Sequence, residues 1–209
     1  MTQDQEFARS LHEIESPSIA VAHRVIAIGD EHALLPEEAN SFERYGVRAR
    51  RASGAARIVA RALLHGLGKE IAALPKSSDG VPIWPKGSLG SLAHDSRVAV
   101  AAASASRYLA GLGIDVEPAE DLPADLISLV TTPRERANLR SDPFRGRLLF
   151  VAKEAAYKAV YPLDQLLLGH HDIEVDLANR RAIFRNGRVV HLRFSISKHL
   201  VALALLLSR

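Results

Sequence analysis

The sequence has no cysteine, one methionine and one tryptophan, and aromatic residues make up only 5% of its 209 positions. The absence of cysteine excludes disulfides, thiolate metal sites and cysteine nucleophiles, and it fits a reducing cytoplasm. Residues 1–16 are polar and acidic and lack the basic-then-apolar pattern of a signal peptide. The longest apolar run, residues 200–207, is too short for a membrane span and is typical of a buried strand. We therefore expect a cytoplasmic protein with no membrane span.

Charge is nearly balanced overall but uneven along the chain. The formal net charge is +3, with 47% hydrophobic and 24% charged residues, as in an ordinary globular protein. Six arginines follow Glu43 with no acid between them: Arg44, Arg48, Arg50, Arg51, Arg57 and Arg61. Such a cationic helix indicates an anionic ligand or partner, and the plain alternative is a solvated helix face. Nucleic acid is the weaker choice of ligand, because no interleaved aromatics, zinc motif or RNA-binding signature accompanies the arginines.

Hydrophobic periodicity predicts alternating strands and helices. The predicted strands are residues 18–28, 97–104, 109–116 and 200–207. One predicted helix begins at Pro36. A second spans residues 48–67, and Gly66 and Gly68 mark its end. The proline-, glycine- and serine-rich residues 76–90 predict a loop around Trp84.

Two short patterns recur in the second half of the chain at similar offsets. Residues 36–40 (PEEAN) recur as residues 133–138 (PRERAN). Residues 91–94 (SLAH) recur as residues 195–198 (SISK), and both of these segments precede an apolar strand. Chance is the alternative, because the residue types are common. The recurrence predicts an α+β fold of two similar α/β subdomains, residues 1–110 and 111–209, related by a pseudo-twofold axis. The active site would lie in the groove between them, and a chain holding both halves would be a monomer.

Residues 113–117 (GIDVE) end an apolar stretch and are predicted to lie on a buried strand. Side chains two apart on a strand face the same way, which places Asp115 beside Glu117. Two such carboxylates repel unless a cation lies between them, and Mg²⁺ takes oxygen ligands of this kind. The alternative is that Glu117 is solvated at the strand end.

Residues 150–159 (FVAKEAAYKA) predict a helix with one apolar side. Glu154 and Lys158 are four residues apart with the acid first, so they share a face of this helix. Taken alone, this spacing is explained best by an ordinary surface salt bridge.

Residues 87–94 (GSLGSLAH) predict a glycine-rich loop whose backbone amides can approach a phosphate. Ser91 would add a hydroxyl donor and His94 a ring nitrogen. The segment is not a Walker loop, because no Gly-Lys-Ser/Thr follows the glycines. A lone histidine after a loop is more often a packing or capping residue than a ligand.

In this order, the motifs GSLAH, GIDVE and AKEAAYKA, followed by Tyr161-Pro162, resemble the 4'-phosphopantetheinyl transferase superfamily. The chain looks most like the larger, monomeric type that serves siderophore and peptide synthases. The basic helix and residues 76–85 extend the resemblance upstream, so it covers residues 48–162. The strand at 201–207 also lies where this family has one.

This resemblance implies an enzyme that transfers the phosphopantetheine arm of coenzyme A to a serine of an acyl or peptidyl carrier protein. Adenosine 3',5'-bisphosphate would be released. The resemblance implies that Asp115, Glu117 and Glu154 hold Mg²⁺ and that Glu154 and Lys158 are catalytic, with Glu154 as the proton acceptor. The residues expected to bind the coenzyme are Arg48, Lys76, Gly80, Ser91, His94, Lys153 and Lys158, with Arg50, Arg51 and Trp84 as weaker candidates on the nucleotide side.

The chain departs from the family pattern at four positions. Ala93 replaces a serine or threonine, Asp95 a small hydroxyl residue, Ala56 a glycine, and Ser53 an aromatic residue. An acid at position 95 is unfavourable beside a phosphate unless it points away or pairs with an arginine. These departures keep open a non-catalytic module that binds coenzyme A or a carrier protein, whereas the intact acidic and lysine positions favour an enzyme.

Overall fold

The structure is a computed structural model that describes residues 2–70, 73–139 and 142–208. The chain divides into two compact units, Met1–Arg107 and Tyr108–Arg209. The boundary predicted after residue 110 falls inside a strand that begins at Leu109. A strand hydrogen-bonded along its length belongs to one sheet, which places the division before this strand rather than within it.

The first unit combines helices with a small antiparallel sheet. Its helices and strands, within the described residues, are α1 (Gln3–His12), β1 (Ala20–Val25), α2 (Pro36–Ala39), α3 (Val47–Gly66), β2 (Leu89–His94) and β3 (Val98–Ser104). The strand order is β1-β3-β2, with both pairings antiparallel. The predicted strands at 18–28 and 97–104 and the predicted helix at 48–67 are confirmed.

Helix α3 supplies small side chains to the core of the first unit. Ala55 and Ala56 of α3 pack with Ala99 of β3, and Val59, Ala60 and Leu64 extend the same apolar side. A Cβ on Gly54 would lie 1.9 Å from the carbonyl oxygen of Asp30, so only glycine permits this approach of the helix to the 3₁₀ turn Asp30–Ala33.

The second unit has a larger antiparallel sheet and one long helix. Its elements are β4 (Leu109–Pro118), α4 (Ala124–Val130), α5 (Pro133–Ala137), α6 (Pro143–Asp164), β5 (Ile173–Asp176), β6 (Arg181–Phe184), β7 (Val189–Ile196) and β8 (His199–Leu207). The described strands are ordered β4-β8-β7-β6-β5, and each neighbouring pair is antiparallel. The predictions of strands at 109–116 and 200–207 and of a helix over 150–159 are confirmed.

Alternation along β8 places one row of side chains against α6. The strand residues Leu200, Ala202, Ala204 and Leu206 belong to one buried cluster with Ala152, Ala155, Ala156 and Ala159 of the helix. Alanines on both sides let the helix lie close to the sheet, and this close packing fixes where the polar side chains of α6 fall.

The α+β class predicted from the sequence is confirmed. The two recurring sequence patterns fall on matching elements, because the PEEAN and PRERAN segments open α2 and α5, and the SLAH and SISK segments precede β3 and β8. The pseudo-twofold relation between the halves stays a prediction. In the described segments, no helix combines the length and apolarity needed to cross a membrane.

Candidate active site

Two glycines bring the backbone of β4 against helix α6. A Cβ on Gly113 would lie 1.9 Å from the carbonyl oxygen of Ala155, and one on Gly111 would lie 2.0 Å from that of Ala159. Because side chains alternate along a strand, Asp115 continues the face that these glycines begin. Glu117 lies on this face too, and both carboxylates contact side chains of α6. The predicted side-by-side placement of the two acids is confirmed.

Asp115 is a buried carboxylate that pairs with Lys158. Its side chain belongs to a residue only 8% exposed, and Lys158 Nζ donates to its Oδ1 at 2.6 Å. Burial raises the pKa of Asp115, and the neighbouring Lys158 ammonium opposes that rise. The salt bridge expected within the helix, between Glu154 and Lys158, is therefore replaced by a bond from the helix to the strand.

Glu117 pairs with an arginine that the sequence analysis did not single out. Arg147 Nη1 donates to Glu117 Oε2 at 2.7 Å, and Arg147 Nη2 donates to the carbonyl of Asp121 at 3.1 Å. Arg147 Nε is buried and has no hydrogen-bond partner within the described residues. Arg147 lies outside the AKEAAYKA motif, at two turns before Glu154, and only the packing of α6 on β4 brings it to Glu117.

Glu154 is held by a second residue missing from the sequence prediction, His170. The distance from His170 Nε2 to Glu154 Oε1 is 2.9 Å. This hydrogen bond is the main cause that lowers the pKa of Glu154, burial opposes it, and the Lys158 charge reinforces it. Glu154 is thus an ionised carboxylate at neutral pH. In the sequence, His170 is marked only by the histidine pair that follows Gly169, and no motif spacing relates this pair to Glu154.

Lys153 does not fit its expected role in binding the coenzyme. It is fully buried, and Nζ donates to the Val130 carbonyl at 2.8 Å, to Glu135 Oε2 at 2.6 Å and to the His170 carbonyl at 2.8 Å. An ammonium group has three protons, and all three are used inside the second unit. Lys153 and Glu154 are adjacent in sequence but point to different surroundings, because successive helical residues are about 100° apart.

The carboxylates of Asp115, Glu117 and Glu154 suit a hard divalent cation by donor type, since Mg²⁺ favours carboxylate oxygens completed by water and phosphate. Each carboxylate has a basic partner: Lys158 for Asp115, Arg147 for Glu117 and His170 for Glu154. Among the described residues, no three acidic or histidine side chains are already grouped as metal ligands. The donor chemistry of these three carboxylates therefore fits Mg²⁺.

The expected coenzyme residues of the first unit include Lys76 and Gly80, which lie on one tight turn. Lys76 Nζ lies 4.3 Å from the ring centroid of Phe42 and 5.3 Å from that of Tyr45. Burial, with a contribution from the Arg57 charge, lowers the pKa of Lys76. Gly80 has φ +82°, a left-handed conformation that explains glycine at this position.

Three of the six arginines in the predicted cationic segment form ion pairs or hydrogen bonds within the first unit. Arg51 pairs with Glu31 at 2.8 Å, Arg61 pairs with Glu38 at 2.9 Å, and the buried Arg57 donates to the Leu74 carbonyl at 2.9 Å. Arg44, Arg48 and Arg50 are exposed. The cationic surface is therefore smaller than the sequence suggests and lies toward the beginning of α3.

The glycine-rich loop predicted at residues 87–94 is wrong over its last six residues, because Leu89–His94 form strand β2. This strand is extended and pairs with β3 along one edge, so residues 89–94 do not fold into a loop of the predicted kind. A Cβ on Gly90 would lie 2.3 Å from the indole ring of Trp84, which shows that Gly90 makes room for packing. Trp84 belongs to the apolar cluster of α3, and this packing accounts for it without a nucleotide.

Ser91 and His94, the two residues of β2 expected to bind the coenzyme, differ in their exposure to solvent. Ser91 is only 6% exposed, whereas His94 is exposed at the strand end, with Nδ1 3.3 Å from the carbonyl oxygen of Asp95. Asp95 Oδ1 accepts the backbone N–H groups of Arg97 and Val98 at 2.6 and 2.7 Å. The Asp95 carboxylate thus points into its own hairpin turn and stabilises it.

Two protein-family models match consecutive parts of the chain. The model described as the 4'-phosphopantetheinyl transferase N-terminal domain matches residues 37–104, and the model described as the 4'-phosphopantetheinyl transferase superfamily matches residues 111–204. The crystal structure of holo-acyl-carrier-protein synthase (AcpS) from Thermotoga maritima aligns with a TM-score of 0.39 and 22% identity, over 48% of this chain and 65% of that one.

Three curated relatives carry the name 4'-phosphopantetheinyl transferase. PptT of Mycobacterium tuberculosis is 37% identical over 145 residues, which cover 68% of this chain and 64% of PptT. Npt of Nocardia iowensis is 39% identical over 57% of this chain and 55% of its own length, and Svp of Streptomyces mobaraensis is 37% identical over 68% and 60%. The chain thus spans less than two thirds of these relatives. With both family models matched in order and identities of 37% to 39%, the chain belongs to the 4'-phosphopantetheinyl transferase superfamily.

Proposed function

We propose that this protein transfers the 4'-phosphopantetheine arm of coenzyme A to a serine of an acyl or peptidyl carrier protein. The serine oxygen forms a bond to the phosphorus attached to pantetheine, and the bond from that phosphorus to the bridging diphosphate oxygen breaks. Adenosine 3',5'-bisphosphate leaves with the bridging oxygen, and the serine proton passes to a base. The observation that carries the proposal is the grouping of buried Asp115, Lys158 and Glu154 on the face where α6 meets β4, with Lys158 Nζ 2.6 Å from Asp115 Oδ1.

Glu154 is the proposed proton acceptor. It is an ionised carboxylate at neutral pH, and it is about one third exposed, so a carrier serine can approach it. Among the described residues, its hydrogen bond from His170 engages Oε1 only. The second oxygen, Oε2, is the atom that we assign to accept the proton, directly or through a water molecule.

Lys158 is the proposed electrostatic partner of the diphosphate. Its Nζ already lies against Asp115 and acts on Glu154 through its charge, so one ammonium serves both carboxylates. A diphosphate bound there would gain the same positive charge, and the leaving group would be stabilised as its negative charge develops.

Asp115, Glu117 and Glu154 are the residues proposed to hold Mg²⁺, which would neutralise diphosphate charge when bound. The coenzyme residues proposed in the first unit are Arg48, Lys76, Gly80, Ser91 and His94. Exposure supports Arg48 and His94, and the left-handed turn supports Gly80. The limited exposure of Ser91 leaves only a small part of its side chain for a ligand. Lys153 is left out of this set because its three protons are used internally. A cytoplasmic location and a monomeric state are part of the proposal.

The release of adenosine 3',5'-bisphosphate tests this function. Coenzyme A, Mg²⁺ and apo carrier proteins from several pathways would be incubated with the protein, and the nucleotides separated by liquid chromatography. We expect the bisphosphate to form only with a carrier present and to disappear when Mg²⁺ is chelated. Coenzyme A binding by calorimetry without any bisphosphate would instead favour the non-catalytic binding module.

A further inference from the structure

His170 contacts the carboxylate proposed as the base, although it belongs to no motif identified in the sequence. It lies 16 residues after Glu154, in the 3₁₀ turn His170–Asp172. Nε2 is 2.9 Å from Glu154 Oε1, and both side chains are about one third exposed, at 30% and 33%. An ionised carboxylate only accepts hydrogen bonds, so the proton of this bond belongs to Nε2 of His170.

The turn that carries His170 is fixed on several sides. Lys153 Nζ donates to the His170 carbonyl at 2.8 Å, Gly169 N–H donates to Asp172 Oδ2 at 3.0 Å, and Arg185 N–H donates to the Asp172 carbonyl at 2.8 Å. The Phe150 ring lies 5.5 Å from the imidazole, centroid to centroid. His170 is thus positioned by packing and hydrogen bonds, as expected of a residue that orients another.

Lys153 connects this turn to the helix that carries Glu154. It is adjacent to Glu154 in α6, and its other two protons are donated to Glu135 Oε2 and the Val130 carbonyl. The backbone of His170 is therefore fixed by the residue next to the carboxylate that its side chain holds. Movement of the turn away from α6 would break both the Lys153–His170 and the His170–Glu154 hydrogen bonds. The fold of the second unit therefore fixes the distance between Glu154 and His170.

We propose that His170 is a positioning residue that holds Oε1 of Glu154 and thereby aims Oε2 at the serine proton. The inference rests on the proposed function, because it concerns a step of that transfer. Lys153 supports the same geometry from within the unit and does not contact the substrate.

The test compares His170→Gln, whose side-chain amide can donate where Nε2 does, with His170→Phe, which keeps a ring against Phe150 but has no donor. We expect His170→Phe to lower kcat by about 10- to 100-fold with an unchanged KM for coenzyme A, and His170→Gln to restore most of the rate. The matched control is His171→Phe, because His171 lies on the same turn and contacts the Ser128 carbonyl instead of Glu154. It should keep the kcat of the wild type.

A spectroscopic measurement tests the contact itself. In long-range ¹H–¹⁵N spectra, the imidazole of His170 should show a protonated Nε2 whose signal shifts when Glu154 is replaced by leucine, while the His171 signals stay in place. A wild-type kcat for His170→Phe, with transfer still abolished by Glu154→Gln, would overturn the positioning role and leave the proposed function standing. No transfer by the wild-type protein to any carrier would overturn the proposed function, and this inference with it. Equal losses in His170→Phe and His170→Gln, matched by equal losses of thermal stability, would mean that His170 is merely structural.

Discussion

Glu38 and Glu135 accept the same three kinds of hydrogen bond, each within its own unit. Each caps a proline-initiated helix by accepting a backbone N–H three residues before it, from Leu35 and Thr132. Each also accepts a bond from the long helix of its unit, from Arg61 and Lys153, and a backbone N–H of a later segment, from Leu74 and Val175. Both carboxylates are almost fully buried, at 0% and 4% exposure. This shared detail supports an internal duplication more strongly than the letters PEEAN and PRERAN do.

Removal of the Glu135 carboxylate should therefore destabilise the protein. Glu135→Ala leaves Lys153 as a buried ammonium without its ion-pair partner, and we expect the free energy of unfolding to fall by about 3–5 kcal/mol. Urea unfolding followed by circular dichroism measures the change. The control is Glu120→Ala, an exposed acid in the same unit, which should lower stability by less than about 0.5 kcal/mol. Equal effects of the two substitutions would contradict the role assigned to Glu135.

The contact of β4 with α6 should not tolerate a methyl group. In Gly113→Ala the new Cβ would meet the Ala155 carbonyl oxygen, so the helix must shift and Lys158 moves away from Asp115. We expect a loss of about 3 kcal/mol or more in unfolding free energy, together with lower transfer activity. Gly66→Ala is the control, because a Cβ at Gly66 meets nothing within 4 Å, and its effect should stay below about 1 kcal/mol. A Gly113→Ala protein as stable as the wild type would show that α6 does not lie this close.

Much of the fold followed from periodicity because its long elements are strongly patterned. Helix α3 and strands β3, β4 and β8 lie within a few residues of their predicted bounds. Gly87 and Gly90 predict a loop over residues 87–94, because glycine suggests freedom of the backbone, yet Leu89–His94 form strand β2. The structure shows that Gly90 is required instead by the Trp84 ring, a contact between residues whose proximity depends on tertiary packing.

The candidate site was only partly predictable from the sequence. Spacing of two on a strand placed Asp115 beside Glu117, since that rule depends on local geometry alone. Arg147 and His170 were missed because each meets its carboxylate across a tertiary contact. The family resemblance implies a ligand-binding role for Lys153, and the sequence cannot correct it, because a lysine beside Glu154 in a helix gives no sign of which direction is buried.

The ion pair between Glu31 and Arg51 should make part of the stability depend on acid pH. The hydrogen bond from Arg51 is the largest cause that lowers the pKa of Glu31, to about 2 from its ordinary 4.5. A lowered pKa means that the stabilisation is complete above pH 4.5 and is lost as pH falls through about 2. Thermal unfolding of wild type and Glu31→Gln should therefore differ at pH 6 and converge toward pH 2. A difference in melting temperature between the two proteins that stays constant from pH 6 to pH 2 would contradict the role assigned to the Glu31–Arg51 pair.

Loss of the Lys158 charge should weaken both coenzyme binding and turnover. Lys158→Ala removes the ammonium proposed to face the diphosphate, and we expect kcat/KM for coenzyme A to fall by about 100-fold or more. Lys198→Ala removes the same charge from an exposed position at the turn before β8, and its kinetics should match the wild type. Because Lys158→Ala also leaves Asp115 buried without its partner, Asp115→Asn/Lys158→Ala should recover stability but not activity. Recovery of activity in this double variant would exclude Lys158 from the reaction.

The measurement closest to the central claim is the intact mass of an apo carrier protein after incubation with coenzyme A, Mg²⁺ and either wild type or Glu154→Gln. Glutamine keeps an oxygen for the hydrogen bond from His170 but cannot serve as the proton acceptor at neutral pH. We predict a carrier heavier by one phosphopantetheine arm with the wild-type protein, and an unmodified carrier with the folded Glu154→Gln variant. A carrier left unmodified by the wild-type protein, or modified at the same rate by Glu154→Gln, would contradict the account.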